Sequence, residues 1–153
     1  MTKKKIIFIS SSAAGILVLL FAIYNLVWYF CSYNVYKSYV KDIPKVGDSG
    51  KYVYEDEEDY HYSVKLPAYL CFDGNLSVSE EEIDHALIIW LESGGKKIKA
   101  GVILTVDGEW VQTELKDSVT AEEQEYQHLI DENTEKINTL FEKANKKWNL
   151  GLE

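Results

Sequence analysis

The sequence predicts an α+β protein: an N-terminal single transmembrane helix, then a small antiparallel β-meander packed by one long C-terminal helix. Three observations carry that expectation. They are an unbroken apolar run near the start, strand-like alternation punctuated by Asp-Gly turns in the middle, and a long amphipathic stripe near the end.

The apolar run covers residues 6–31, IIFISSSAAGILVLLFAIYNLVWYFC, and contains no charged side chain. At a rise of 1.5 Å per residue, about 20 such residues cross the roughly 30 Å hydrocarbon core. A cleavable signal has a shorter apolar core, of about 7–15 residues, ending in small residues. Here the run continues into Trp28, Tyr29 and Phe30 ahead of Cys31, too bulky for a signal-peptidase or lipoprotein site. An uncleaved signal-anchor in the cell membrane is therefore expected. Tyr24, Trp28, Tyr29, Tyr33 and Tyr36 fall where an aromatic belt belongs. Lys3, Lys4 and Lys5 press against the start of the run, which favours a cytoplasmic N-terminus and an extracytoplasmic C-terminal domain. Lys37, Lys41 and Lys45 narrow that asymmetry from the other side. The small-residue patch Ser10–Gly15 offers a face for self-association or for another membrane or envelope protein.

Three regions follow. Residues 1–41 form the N-terminal stub, the membrane helix and a juxtamembrane extension; 42–51, with Ile43-Pro44 and KVGDSG, read as a linker; 52–153 form the acidic domain. The charge divides along the same lines. Residues 1–41 carry five lysines and no acid, whereas 42–153 carry eleven lysines and all 25 acids, a net −14. Such a domain repels nucleic acid, so no nucleic-acid partner is expected. All sixteen basic residues are lysine. Missing arginine removes the usual bidentate phosphate ligand, and lysine preference also fits an AT-rich bacterial genome.

Within the domain, Tyr60, Tyr62, Val64 and Leu66 alternate with His61, Ser63 and Lys65, the pattern of a half-buried strand. Ala68–Phe72 is apolar and precedes Asp73-Gly74-Asn75, which predicts a strand and a hairpin, with Cys71 a small buried hydrophobe. Ile98–Val106 and Glu109–Leu115 meet at a second turn, Asp107-Gly108. Residues 83–92 carry two patterns. Ser79 and Glu82 fit a capping box, but Ala86–Leu91 is apolar throughout and holds two β-branched isoleucines. A central strand covered on both faces is the expectation, joined through Gly94-Gly95 to the next. Thr120 and Glu123 form a second capping box. Tyr126, Leu129, Ile130, Ile137, Leu140, Phe141, Ala144 and Trp148 then trace one helical stripe, interrupted at Asn133, with Gly151 as a stop.

No catalytic, cofactor-binding or metal-binding residues are assigned, and no cofactor is expected. His61, His85 and His128 are dispersed, and no metal-ligand or nucleophile motif occurs. Ser49, Ser93 and Ser118 sit in turns. The acidic run Glu55–Asp59 beside His61 could offer oxygen ligands to a hard cation, but it lacks EF-hand spacing and its turn glycine. A solvated turn between strands is the simpler reading. Tyr60, Tyr62 and Tyr69 read as core or cross-strand residues, and Trp110 as solvent-facing. The functional expectation is a non-enzymatic interaction or accessory module tethered to the bilayer. Its alternative is a membrane-anchored hydrolase assembled from dispersed carboxylates and His61 or His85.

Overall fold

The computed structural model describes residues 3–48, 50–80 and 85–152, with side chains from Ala14 onward. Helix α1 spans Lys3–Trp28 and continues through a π-helical turn, Tyr29–Tyr33, into the short α2, Asn34–Lys37. From Ala14 to Lys37 it is long and apolar enough to cross a membrane, and none of that window is buried in the rest of the chain. Leu17, Val18 and Phe30 are each more than half exposed. This leaves a long apolar surface that the rest of the described chain does not cover. The helix stops short of the expected Lys41. The chain turns after Lys37, where Tyr39 N–H donates to Tyr36 O at 3.0 Å.

The described residues then form one sheet of eight antiparallel strands in chain order. They are β1 Lys45–Val46, β2 Lys51–Glu55, β3 Tyr60–Lys65, β4 Asn75–Glu80, β5 His85–Glu92, β6 Lys97–Val106, β7 Glu109–Asp117 and β8 Thr120–Ala121. Each strand pairs only with its sequence neighbours, so every connection is a hairpin or a short loop. The β6–β7 turn has the expected form. Asp107 and Gly108 both adopt positive φ, 52° and 82°, and Val106 pairs with Glu109. That is the backbone twist a two-residue hairpin demands.

The ambiguous segment is a strand over 85–92; Glu81–Asp84, with most of the capping box, lie outside the described residues. β5 is central, but it is covered by a second layer on one face only. Leu87, Ile89 and Leu91 are buried beneath the helices, whereas Ile88 and Trp90 stay half-buried on the other face. Trp110 is 69% exposed on that same outer side, as its alternation with Val111 and Thr113 implied.

The C-terminal segment departs from one continuous helix. A 3-10 turn at Gln124–Tyr126 leads into α3, Gln127–Glu132; Asn133 breaks the path at φ −112°, ψ 13°; and α4 runs Thr134–Trp148. Thr120 is in β8 and caps nothing; Glu123 is extended. The break follows from the sheet beneath. Asn133 Nδ2 donates to Leu129 O at 2.9 Å, and its Oδ1 lies 2.8 Å from Nε2 of buried His85. Because the amide nitrogen is already donating, Oδ1 accepts and Nε2 carries the proton. The helix ends at Asn149 in the left-handed region, φ 52°, and Gly151 follows two residues later. Asn145 then clamps the tail, accepting from Leu152 N–H at 2.9 Å and donating to Leu152 O at 2.7 Å.

The core lies between the sheet and α3–α4. Val64, Leu76, Val78, Leu87, Ile89 and Val102 from the sheet meet Ile130, Ile137, Leu140 and Ala144 from the helices, all with almost no exposure. On the opposite face Gly101 lies under Trp90. A Cβ at Gly101 would stand 2.8 Å from Thr113 O and 3.0 Å from the indole ring. Gly101→Ala is therefore expected to lower unfolding free energy by about 1–3 kcal/mol through overpacking. Denaturant titration of the full chain in detergent, with wild-type stability as the contrary result, measures it.

Candidate interaction site at the helix–sheet junction

The aromatic residues at the end of the apolar run do more than form a belt. Tyr36 is 2% exposed and enters the core of the domain. Its hydroxyl accepts the Leu91 N–H at 2.8 Å. β4 pairs with β5 only as far as Ile89, so Leu91 faces a side that no strand covers. Tyr36 supplies the partner that the missing ladder does not. Gly74 makes room for the ring, since a Cβ there would come within 2.6 Å of two Tyr36 ring carbons. Behind Tyr36, Val35 packs toward Gly95 in the β5–β6 turn.

Residues 67–72, PAYLCF, are not a strand. They form a loop between β3 and β4 that lies along the C-terminal end of α1. Trp28 Nε1 donates to Ala68 O at 3.0 Å, Tyr24 Oη to Leu70 O at 3.1 Å, and Tyr69 Oη to Asn25 Oδ1 at 2.6 Å. Trp28 and Tyr69 meet edge-on at 5.2 Å, Tyr24 and Phe72 at 6.0 Å. Here the hydrogen-bonding capacity of the loop goes to a helix about 40 residues away, so no ladder forms. Two expectations fail with it. Cys71 is exposed, and Tyr69 is 63% exposed instead of a core partner. Both cysteines are free.

The acidic run at the far end of the sheet is a turn and a clasp. Asp56 Oδ1 accepts from the N–H groups of Glu58 and Tyr60, each at 3.0 Å, and Oδ2 accepts the Tyr62 hydroxyl at 2.9 Å. Lys143 from α4 donates to Glu58 at 2.7 Å and stands 3.6 Å from Asp56, with its ammonium 4.2 Å from the Tyr60 ring centroid. Lys147 sits 3.9 Å over the Tyr54 ring. Burial alone would push the Asp56 carboxyl up. The bonds from Tyr60 N–H, Tyr62 and Glu58 N–H, with the Lys143 charge, outweigh it and hold the group below its usual range. The same contacts push Tyr62 up, first through burial and then through the carboxylate it bonds.

The histidines do not converge. His61 is directly opposite Glu55 across β2–β3, with Nε2 3.1 Å from Oε2, and it shares the outer sheet face with Ser79 and Ala86. His85, one residue from Ala86, points the other way into the core. His128 Nδ1 meets Glu125 O at 2.9 Å, on the surface of α3. Among the described residues no three of His, Cys, Asp and Glu come together as a metal site.

A groove of about 470 Å³ runs over β2–β6 on the uncovered face; Ser63, Ser77 and Ser79 lie along its middle, with Val53 to one side and Ile88 and Ile103 to the other. Ser63 and Ser77 share a hydroxyl–hydroxyl bond at 2.8 Å. Lys51 and Lys65, opposite each other in register, close its end nearest the membrane helix. The strand alternation of Tyr60–Leu66 placed Ser63 and Lys65 on this face, but the groove itself needs the twist of five strands. Comparison with protein families, with curated proteins and with solved structures finds no match.

Two outcomes test this geometry. Tyr36→Phe keeps the ring and strands the Leu91 N–H, so it is expected to cost about 1–3 kcal/mol in denaturant unfolding; unchanged stability would contradict the bond. Asp56 titrates below its ordinary 3.8, so its stabilisation is present above that pH and disappears as pH falls through the folded value. Asp56→Asn should therefore flatten the loss of thermal stability on the acid side, and an unaltered acid limb would remove the clasp from the account.

Proposed function

We propose that this is a single-pass protein of the cell membrane whose sheet domain stands outside the cytoplasm and acts by binding a partner, not by catalysis. The observation that carries the reading is the uncovered sheet face, a groove of serine hydroxyls set between Val53, Ile88 and Ile103, on a domain fastened to the N-terminal helix through Tyr36. An uncovered groove of mixed apolar and hydroxyl surface suits recognition of another macromolecule. The chemistry of the remaining groups supports it. His61 and His85 lie on opposite faces of one sheet, so a hydrolytic site cannot draw on both. Asp56 and Glu58 are engaged by Lys143 and by the turn they belong to. Lysines 3–5 before the apolar run support an inward N-terminus.

A reporter that works only outside the cytoplasm, fused after Glu153, is expected to be active. Activity only of a cytoplasmic reporter would reverse the orientation. A photo-crosslinker at Ile103, in the groove, should trap a discrete partner in intact membranes, whereas one at Glu142 on the exposed side of α4 should not. Equal yields from both positions, or none from Ile103, would overturn the groove as the binding face.

A further inference from the structure

We infer that the loop Pro67–Phe72 is a second membrane-contacting element, seated in the lipid interface beside the helix. The inference rests on the helix being a span, as proposed above, and adds that the folded domain itself touches lipid. Depth is the first argument. About 20 residues counted from Ile6 bring the helix to Asn25, the level at which the roughly 30 Å hydrocarbon core gives way to headgroups. The loop bonds to Tyr24, Asn25 and Trp28, so it shares that level.

Its composition fits the position. PAYLCF carries no charge in a chain that is 27% charged, and Tyr69 and Phe72 are 63% and 48% exposed. Phe72 meets Tyr24 edge-on at 6.0 Å, on a helix whose Phe21 and Phe30 are also exposed. Aromatic side chains with one bonded polar tip are what the interface selects. The surrounding charge is mixed: Lys51 and Lys65 flank the loop at this end of β2 and β3 with Asp48 and Asp73 beside them, while the Glu55–Asp59 run lies at the opposite end. Water contact for Tyr69, Cys71 and Phe72 together would leave an apolar patch unaccounted for.

The test uses the full chain in lipid nanodiscs. Cys31→Ser leaves Cys71 as the single thiol for an environment-sensitive fluorophore, and brominated lipids then report depth. Emission at position 71 is expected to shift to the blue, with quenching by bromines near the headgroup several-fold stronger than at a Trp110→Cys reference in which Cys31 and Cys71 are both replaced by Ser. Emission and quenching at 71 equal to those at 110 would overturn the proposal. A label at Leu19→Cys, with Cys31 and Cys71 both replaced by Ser, separates the span from the loop contact. Deep-bromine quenching at 19 without quenching at 71 removes the loop contact and leaves the span. No quenching at 19 removes the span, and the loop contact falls with it.

Discussion

The bond between Tyr36 and Leu91 decides what kind of molecule this is. A membrane helix joined to its domain by a flexible linker would leave the domain free to tumble. Here the N-terminal helix carries a tyrosine into the hydrophobic core of the domain, where its hydroxyl completes the hydrogen bonding of a central strand. Burial of the ring and satisfaction of a backbone donor reinforce each other, since losing either leaves a cavity or a desolvated amide. The helix and the sheet therefore share one core. The loop at 67–72, bonded to the helix at three points, adds a second fastening about two turns lower.

The sheet is arranged so that its length lies in the middle. β5 and β6 are eight and ten residues long, while the edges, β1 and β8, are two residues each. Short edges give another chain little ladder to extend, which directs recognition to a face instead of an edge. One face is closed by α3 and α4. The other keeps Ile88, Ile103 and Val53 only half-covered.

Charge has a structural role before any binding role. The five-acid run would repel itself in isolation, yet Asp56 stabilises a tight turn and Lys143 from α4 pairs with Asp56 and Glu58. Ammonium groups over the Tyr54 and Tyr60 rings tie the far end of the sheet to the last helix. The acids that looked like ligands in the sequence are the partners of a helix that crosses the sheet more than 80 residues later.

Local pattern alone determined the long apolar N-terminal helix, the Asp107-Gly108 hairpin, the strand at 85–92 and the apolar stripe of the C-terminal segment. Each of these is set by neighbours within about ten residues, through rise, twist or periodicity. Tertiary structure decided the rest. The apolar stretch PAYLCF has a strand's composition, but its hydrogen bonds go to Tyr24, Asn25 and Trp28. Tyr36 keeps the spacing of a membrane belt, but Gly74 opens a pocket for it. Asn133 looks like a flaw in one helix, but His85 beneath it turns that flaw into a break. In all three cases the deciding partner is between 38 and 48 residues away, and no window of sequence holds both ends of such a contact.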